Sequence, residues 1–180
     1  MIVYHGSNVK VNKLKIDNKL SKESSLGNEG PGIYFSKDPG VARSYGKYLY
    51  TLNIDGNLVW DLRMLPFISK VMADIRYEVM KKTQVDISKY IDLNSIGQGI
   101  YWGNVGVSTL SREIGLHLDS SELLWTSIPN ADKFIEEVKK VVTKFIKLKI
   151  KIYMFNYSIP EIGVIKDEDL VHIVSIDTVN

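Results

Sequence analysis

The chain has 180 residues, with 23 Lys and Arg against 21 Asp and Glu, and no cysteine. That length suits one domain with a substantial core, and the lack of cysteine excludes disulfides, thiolate metal sites and cysteine nucleophiles. A net charge of +2 excludes a polycation built for nucleic acid, and neither a signal peptide nor an apolar run near the ~18 residues of a membrane span is visible, so a soluble, cytoplasmic protein is expected, with signal-free export or delivery into a host cell left open.

In chain order, Ile2-Val3-Tyr4 reads as a buried strand ending at His5-Gly6. Asp17 to Gly32 is polar and rich in Ser, Asn and Gly, the composition of a loop. Ile33 to Ser36 reads as a strand leaving a Pro-Gly turn. Asp38-Pro39 opens a helix, with Asp as cap and Pro in the first turn. Val41, Ala42 and Tyr45 lie on that helix, and Gly46 ends it. Tyr48 to Ile54 and Leu58 to Leu62 read as strands around an Asp55-Gly56-Asn57 turn.

The middle changes period. Phe67 to Lys82 has Ile68, Val71, Met72, Ile75 and Val79 at helical spacing. Asp86 to Leu93 reads as a short helix, the glycines at 97, 99, 103 and 106 as a bend or loop, and 107–116 and 121–127 as short helices. Asn130 caps a long helix whose lysines form either a solvated face or a basic surface. From Lys149 to Phe155 the period is two, a strand. Ile162 to Ile165 and Val171 to Ile176 follow as strands around an Asp167-Glu168-Asp169 turn. Strands, then helices, then strands give a single α+β domain over 1–180, with residues about 66–146 as a helical insertion or lid.

Two short pieces carry the chemistry: Tyr4-His5-Gly6-Ser7 and Gly30-Pro31-Gly32-Ile33-Tyr34-Phe35-Ser36, with Tyr45 eleven residues after Tyr34. Each sets a polar or aromatic group beside a glycine, as a site for a flat polar heterocycle requires. These pieces resemble the ADP-ribosyltransferase superfamily, in its diphtheria-toxin and poly(ADP-ribose)-polymerase branch with a His-Tyr-Glu triad. Pro160-Glu161-Ile162-Gly163-Val164-Ile165 fits that branch's third element, and the resemblance spans roughly 1–62 and 148–176. It implies a split β-sheet core and NAD as co-substrate; separately, no His-Glu-x-x-His motif exists and no metal is expected.

It also implies roles. His5, Tyr34 and Glu161 are the catalytic triad. The Gly6 backbone holds the nicotinamide carboxamide, and Tyr34 and Tyr45 sandwich the ring. His5 bonds a ribose hydroxyl, and Ser7, Gly32 and Ser36 support the site. Glu161 bonds the 2′-hydroxyl of the nicotinamide ribose, and the 17–31 segment closes over the dinucleotide. The chemistry suits these residue types on its own terms. Breaking the nicotinamide–ribose bond develops positive charge on the ribose, which a carboxylate stabilises. Aromatic faces stack on the nicotinamide ring.

Ile159, two residues before Glu161, is neither the Glu nor the Gln found there in several branches. It argues against arginine modification and polymer elongation. The activity implied is mono-ADP-ribosyl transfer to a macromolecular acceptor, protein or nucleic acid, as in a bacterial or phage toxin or effector. The alternatives are an NAD glycohydrolase and a non-catalytic NAD- or ADP-ribose-binding module of the same fold, with an unrelated nucleic-acid-binding domain third. Arg43 is a candidate for the NAD phosphates or for a solvated helix face. Glu122 is a competitor for Glu161 that reads better as part of a helix start. Neither a dinucleotide-binding glycine turn nor a P-loop is present.

Overall fold

The computed structural model describes residues 1–16, 29–155 and 161–179. The expectations for residues 17–28, and for Ile159 and Pro160, lie outside the described residues. The chain divides into two compact units, Met1–Asp61 with Ile150–Asn180, and Leu62–Lys149. The segment 66–146 singled out in the sequence falls inside the second.

The first unit is a mixed sheet, seven-stranded among the described residues, in the order β4-β5-β6-β2-β1-β3-β7. The strands are β1 (Ile2–Ser7), β2 (Ile33–Ser36), β3 (Tyr48–Asn53), β4 (Val59–Asp61), β5 (Ile152–Met154), β6 (Ile162–Ile165) and β7 (His172–Thr178). All neighbours are antiparallel except β4 and β5. Alternation along the strands places Val3, Ile33, Phe35, Leu52, Ile152 and Met154 in one apolar cluster. Gly163 makes room for it: a Cβ there would lie 2.3 Å from Cζ of Phe35.

The opposite face of β1 carries helix α1 (Pro39–Arg43). It opens as the sequence reading expects, with Asp38 Oδ1 accepting from Gly40 N at 2.7 Å and Pro39 in the first turn. It is shorter than expected. The helix ends at Arg43, and Tyr45 stands in the turn that follows. The cause is close packing. A Cβ on Gly46 would lie 2.2 Å from the backbone of Ser7, so the chain turns away onto β1 before a second helical turn forms.

The second unit is helical: α2 (Leu65–Thr83), α3 (Leu93–Tyr101), α4 (Leu110–Asp119), α5 (Glu122–Ser127) and α6 (Ala131–Lys149). Helix α2 buries the five apolar residues that its spacing marks. Three readings are corrected here. Asp86 to Leu93 is not one helix but a single 3₁₀ turn, Ile87–Lys89, because Asp86 and Asp92 each cap a separate start. The glycines at 97 and 99 lie inside α3 rather than in a loop. Gly97 is a packing glycine, its missing Cβ 3.1 Å from Ile68 Cγ2 and 3.3 Å from Met72 Cγ. The strand read at Leu58 to Leu62 is only Val59–Asp61, since Gly56–Leu58 forms a 3₁₀ turn capped by Asp55.

Candidate active site

Strand β1 runs through His5 and Gly6 to Ser7 instead of stopping at Tyr4. It pairs with β3 over six residues, Ile2↔Asn53 to Ser7↔Tyr48, but with β2 at one pair alone, Tyr4↔Ser36. Every other neighbouring pair in the sheet shares three to six. Beyond Tyr4 the two strands are joined by a side chain: His5 Nδ1 lies 2.7 Å from the carbonyl oxygen of Tyr34. A carbonyl only accepts, so Nδ1 carries the proton. Burial holds the imidazole pKa below its ordinary value, against the opposing pull of that hydrogen bond. The ring is therefore neutral near pH 7, and Nε2 is left as an acceptor. Its face lies against Tyr50, centroids 5.8 Å apart, and Tyr50 in turn accepts from Val11 N at 2.7 Å and donates to Val9 O at 2.8 Å.

The direction of that pKa fixes a pH dependence. The unfolded chain takes up a proton at residue 5 as pH falls through about 6.5, while the folded chain resists until lower pH. Stability is expected to fall as pH drops below about 6.5. Denaturant midpoints between pH 5 and 8 test this, and His5→Gln should flatten that part of the profile.

Tyr34 belongs to the face opposite His5. Its ring meets Phe155 edge-on at 6.4 Å, and its hydroxyl donates to Gly30 O at 2.6 Å. Gly6 is on the same face, and α1 covers it. A Cβ on Gly6 would lie 1.9 Å from Ala42 O and 3.0 Å from the Cβ of Tyr45. The glycine is thus required by packing as well as suited to a ligand, and Tyr45 stands next to it with 45% of its surface exposed. The remaining sequence-derived residues have local duties. Ser7 Oγ accepts from Val9 N at 3.1 Å. Ser36, buried, accepts from Asp38 N at 3.0 Å and sets the entry to α1. Gly32 clears Val164, whose Cγ2 would be 2.2 Å from an added Cβ.

Glu161 stands at the start of β6, beside β2. Its carbonyl accepts from Lys37 N at 3.2 Å, one step past the Ser36↔Ile162 pair. It is also one of three non-glycine residues with positive φ among the described residues, at 65°. A side chain in that region costs about 1 kcal/mol, so glycine is the residue that the backbone alone favours. Glu161→Gly and Glu161→Ala remove the same carboxylate and differ in one Cβ. Glu161→Gly is expected to be the more stable of the two by up to about 1 kcal/mol in urea unfolding.

Glu29, Tyr153 and Lys166 were missed by sequence reasoning. Tyr153 donates to the buried Glu29 carboxylate at 2.7 Å, and Lys166 donates to Pro31 O at 2.8 Å and to Glu29 O. Burial pushes the Lys166 pKa down to about 8, opposed by the Glu29 charge. One signal was available: Lys166 directly follows Ile162–Ile165, a strand buried at every position. Glu168, read as a turn residue, accepts from Ile16 N at 2.8 Å.

The lysine surface expected on α6 is interrupted. Lys133, Lys140, Lys144 and Lys147 are exposed at helical spacing, but Glu137 falls among them. Lys139 pairs with Glu136 at 2.6 Å, and Lys151 with Asp167 at 2.6 Å. A groove of about 550 Å³ lies in the helical unit, against Met72, Arg76, Tyr90 and Asn94, and none of the sequence-derived site residues line it. Arg76 there is held in two-point contact by Asp86, at 2.8 and 2.5 Å. Among the described residues no helix is long and apolar enough to cross a membrane. No protein-family model matches the chain, and no curated protein or solved structure matches it.

Proposed function

We propose that this chain is an NAD⁺-dependent mono-ADP-ribosyltransferase. The observation that carries the reading is the strand order β6-β2-β1. Residues 5 and 34 come from distant parts of the sequence and lie on β1 and β2, and residue 161 immediately precedes β6, the other neighbour of β2. Glu161 is three positions along from Tyr34's partner Val164, about 10 Å by strand rise. That is the scale of a ring and its attached ribose.

The residue types fit the dinucleotide. His5, whose side chain leaves the face opposite Tyr34, offers a neutral acceptor nitrogen for a ribose hydroxyl at the β1–β2 edge. Tyr34 and Tyr45 offer aromatic faces near Gly6, whose missing side chain lets α1 bring Tyr45 close to β1. Glu161 offers a carboxylate held in a conformation that its own backbone disfavours, a mark of a residue retained for its side chain. NAD⁺ supplies a neutral leaving group and an electrophilic ribose carbon. The chain's part is to bond the 2′-hydroxyl and stabilise developing positive charge through Glu161, to stack the nicotinamide ring, and to hold its carboxamide on the Gly6 backbone.

The test is incubation with NAD⁺ labelled on the adenylate side and a cell lysate. Label on protein or nucleic acid together with released nicotinamide supports transfer and decides the acceptor class. Nicotinamide release without label transfer identifies a glycohydrolase. Saturable NAD⁺ binding without release identifies a binding module, and the absence of all three overturns the reading.

A further inference from the structure

Three side chains converge on the residues just before β2. Tyr34 donates to Gly30 O at 2.6 Å. Lys166 donates to the carbonyls on either side of it, Pro31 O at 2.8 Å and Glu29 O. Tyr153 donates to the Glu29 carboxylate at 2.7 Å. Glu29 and Tyr153 are 2% and 0% exposed. The Lys166 ammonium lies 6.0 Å from the Tyr153 ring centroid. The sheet register makes this convergence: Val164 pairs with both Tyr34 and Tyr153. Strand alternation puts Lys166 on the same face two residues on.

Burying a lysine beside a glutamate is costly, since desolvation of both charges offsets much of their attraction. An apolar residue would close this face at less cost. What the polar groups add is direction. With the Glu29 and Pro31 carbonyls both held, the peptide group carrying the Gly30 carbonyl has little freedom, and that carbonyl is the fixed point for the Tyr34 hydroxyl. A phenol ring anchored at its tip loses the swing about its first torsion, which carries the long axis of the ring.

We propose that Lys166, with Glu29 and Tyr153, is a positioning residue that fixes where the Tyr34 ring lies for stacking on the nicotinamide. The inference rests on the site reading above, and it assigns Lys166 no contact with the dinucleotide. A stacking partner displaced by a fraction of a ring width loses overlap, so the effect falls on binding of NAD⁺ more than on turnover.

The test is a double-mutant cycle of Tyr34→Phe and Lys166→Met, read in KM and kcat for nicotinamide release. A second readout is amide hydrogen exchange over residues 29–36 without NAD⁺. Each single variant is expected to lower kcat/KM about tenfold, mainly through KM. The double variant should lose about twentyfold, against the about hundredfold of independent effects. Lys166→Arg should recover to within about threefold of wild type, as it keeps a charged donor. Without NAD⁺, Lys166→Met should speed exchange at 29–34, while Tyr34→Phe leaves residues 29 and 30 protected. If Lys166→Met fails to fold, Tyr153→Phe removes only the hydroxyl on Glu29 and should give the same non-additivity at smaller size. An active wild type with an additive cycle, or with a Lys166→Met KM equal to its own, overturns this inference alone. A wild type that neither binds nor cleaves NAD⁺ overturns the site reading together with it.

Discussion

Glu161→Gln is expected to lower kcat/KM for nicotinamide release about a thousandfold, close to 4 kcal/mol of transition-state stabilisation. The KM for NAD⁺ should stay within about threefold of wild type. Glutamine keeps the length, the planar end group and a hydrogen bond to a ribose hydroxyl, and it loses only the charge. Charge at this position acts where the ribose becomes positive, which is at the transition state and not in the ground-state complex. The backbone of residue 161 is held beside β2 by the Lys37–Glu161 bond, next to the strand that carries Tyr34, and the effect is expected to be specific to this residue. Glu122 starts α5 in the helical unit, with Ser121 as the capping residue, so Glu122→Gln is the matched control and should leave turnover unchanged. Nicotinamide release at the wild-type rate by Glu161→Gln would remove residue 161 from the mechanism.

Gly6→Ala is expected to be the most damaging single methyl in the sheet unit, lowering stability by about 3 kcal/mol and abolishing NAD⁺ binding. The added carbon would meet the Ala42 carbonyl oxygen at 1.9 Å and the Ala42 carbonyl carbon at 3.1 Å, both backbone atoms that no rotamer change can move. Relief requires α1 to lift from β1, and Tyr45, whose Cβ is 3.0 Å from the same point, moves with it. Stability and binding therefore fail together. Gly56→Ala is the control: its new carbon would meet only the Met1 Cβ at 3.5 Å, an ordinary contact, and should change the urea midpoint by less than about 0.5 kcal/mol equivalent. An unchanged midpoint for Gly6→Ala would mean that α1 is not packed on β1 as described.

Much of the sheet was legible because its signals are local. The apolar runs at 33–36 and 162–165, the Asp38-Pro39 start and the five-residue apolar stripe of α2 each depend on a few adjacent residues, and the two strands, the start of α1 and α2 formed where expected. The failures came where a distant surface decides. Gly97 and Gly99 look like punctuation in sequence, yet α2 comes close enough to Gly97 to need the space. The turn after Arg43 is set by Ser7, far away in the chain. The candidate site divides the same way. His5, Gly6, Tyr34 and Tyr45 were singled out by the family resemblance that their spacing carries, whereas the Glu29–Tyr153 bond joins residues 124 apart and leaves no local pattern. Nor does a sequence show that the imidazole and the phenol of residues 5 and 34 leave opposite faces of the sheet, with the imidazole bonded to the Tyr34 carbonyl.

The lone Tyr4↔Ser36 pair gives the sheet a line of low resistance. On one side β1, β3 and β7 form a three-stranded ribbon; on the other β2, β6, β5 and β4 form a four-stranded one. The first excursions away from the native state should run along this line, with the two ribbons parting before either loses its own ladder. Any molecule that grips both ribbons at once acts as a stitch across the gap, and its affinity adds directly to the work needed to part them.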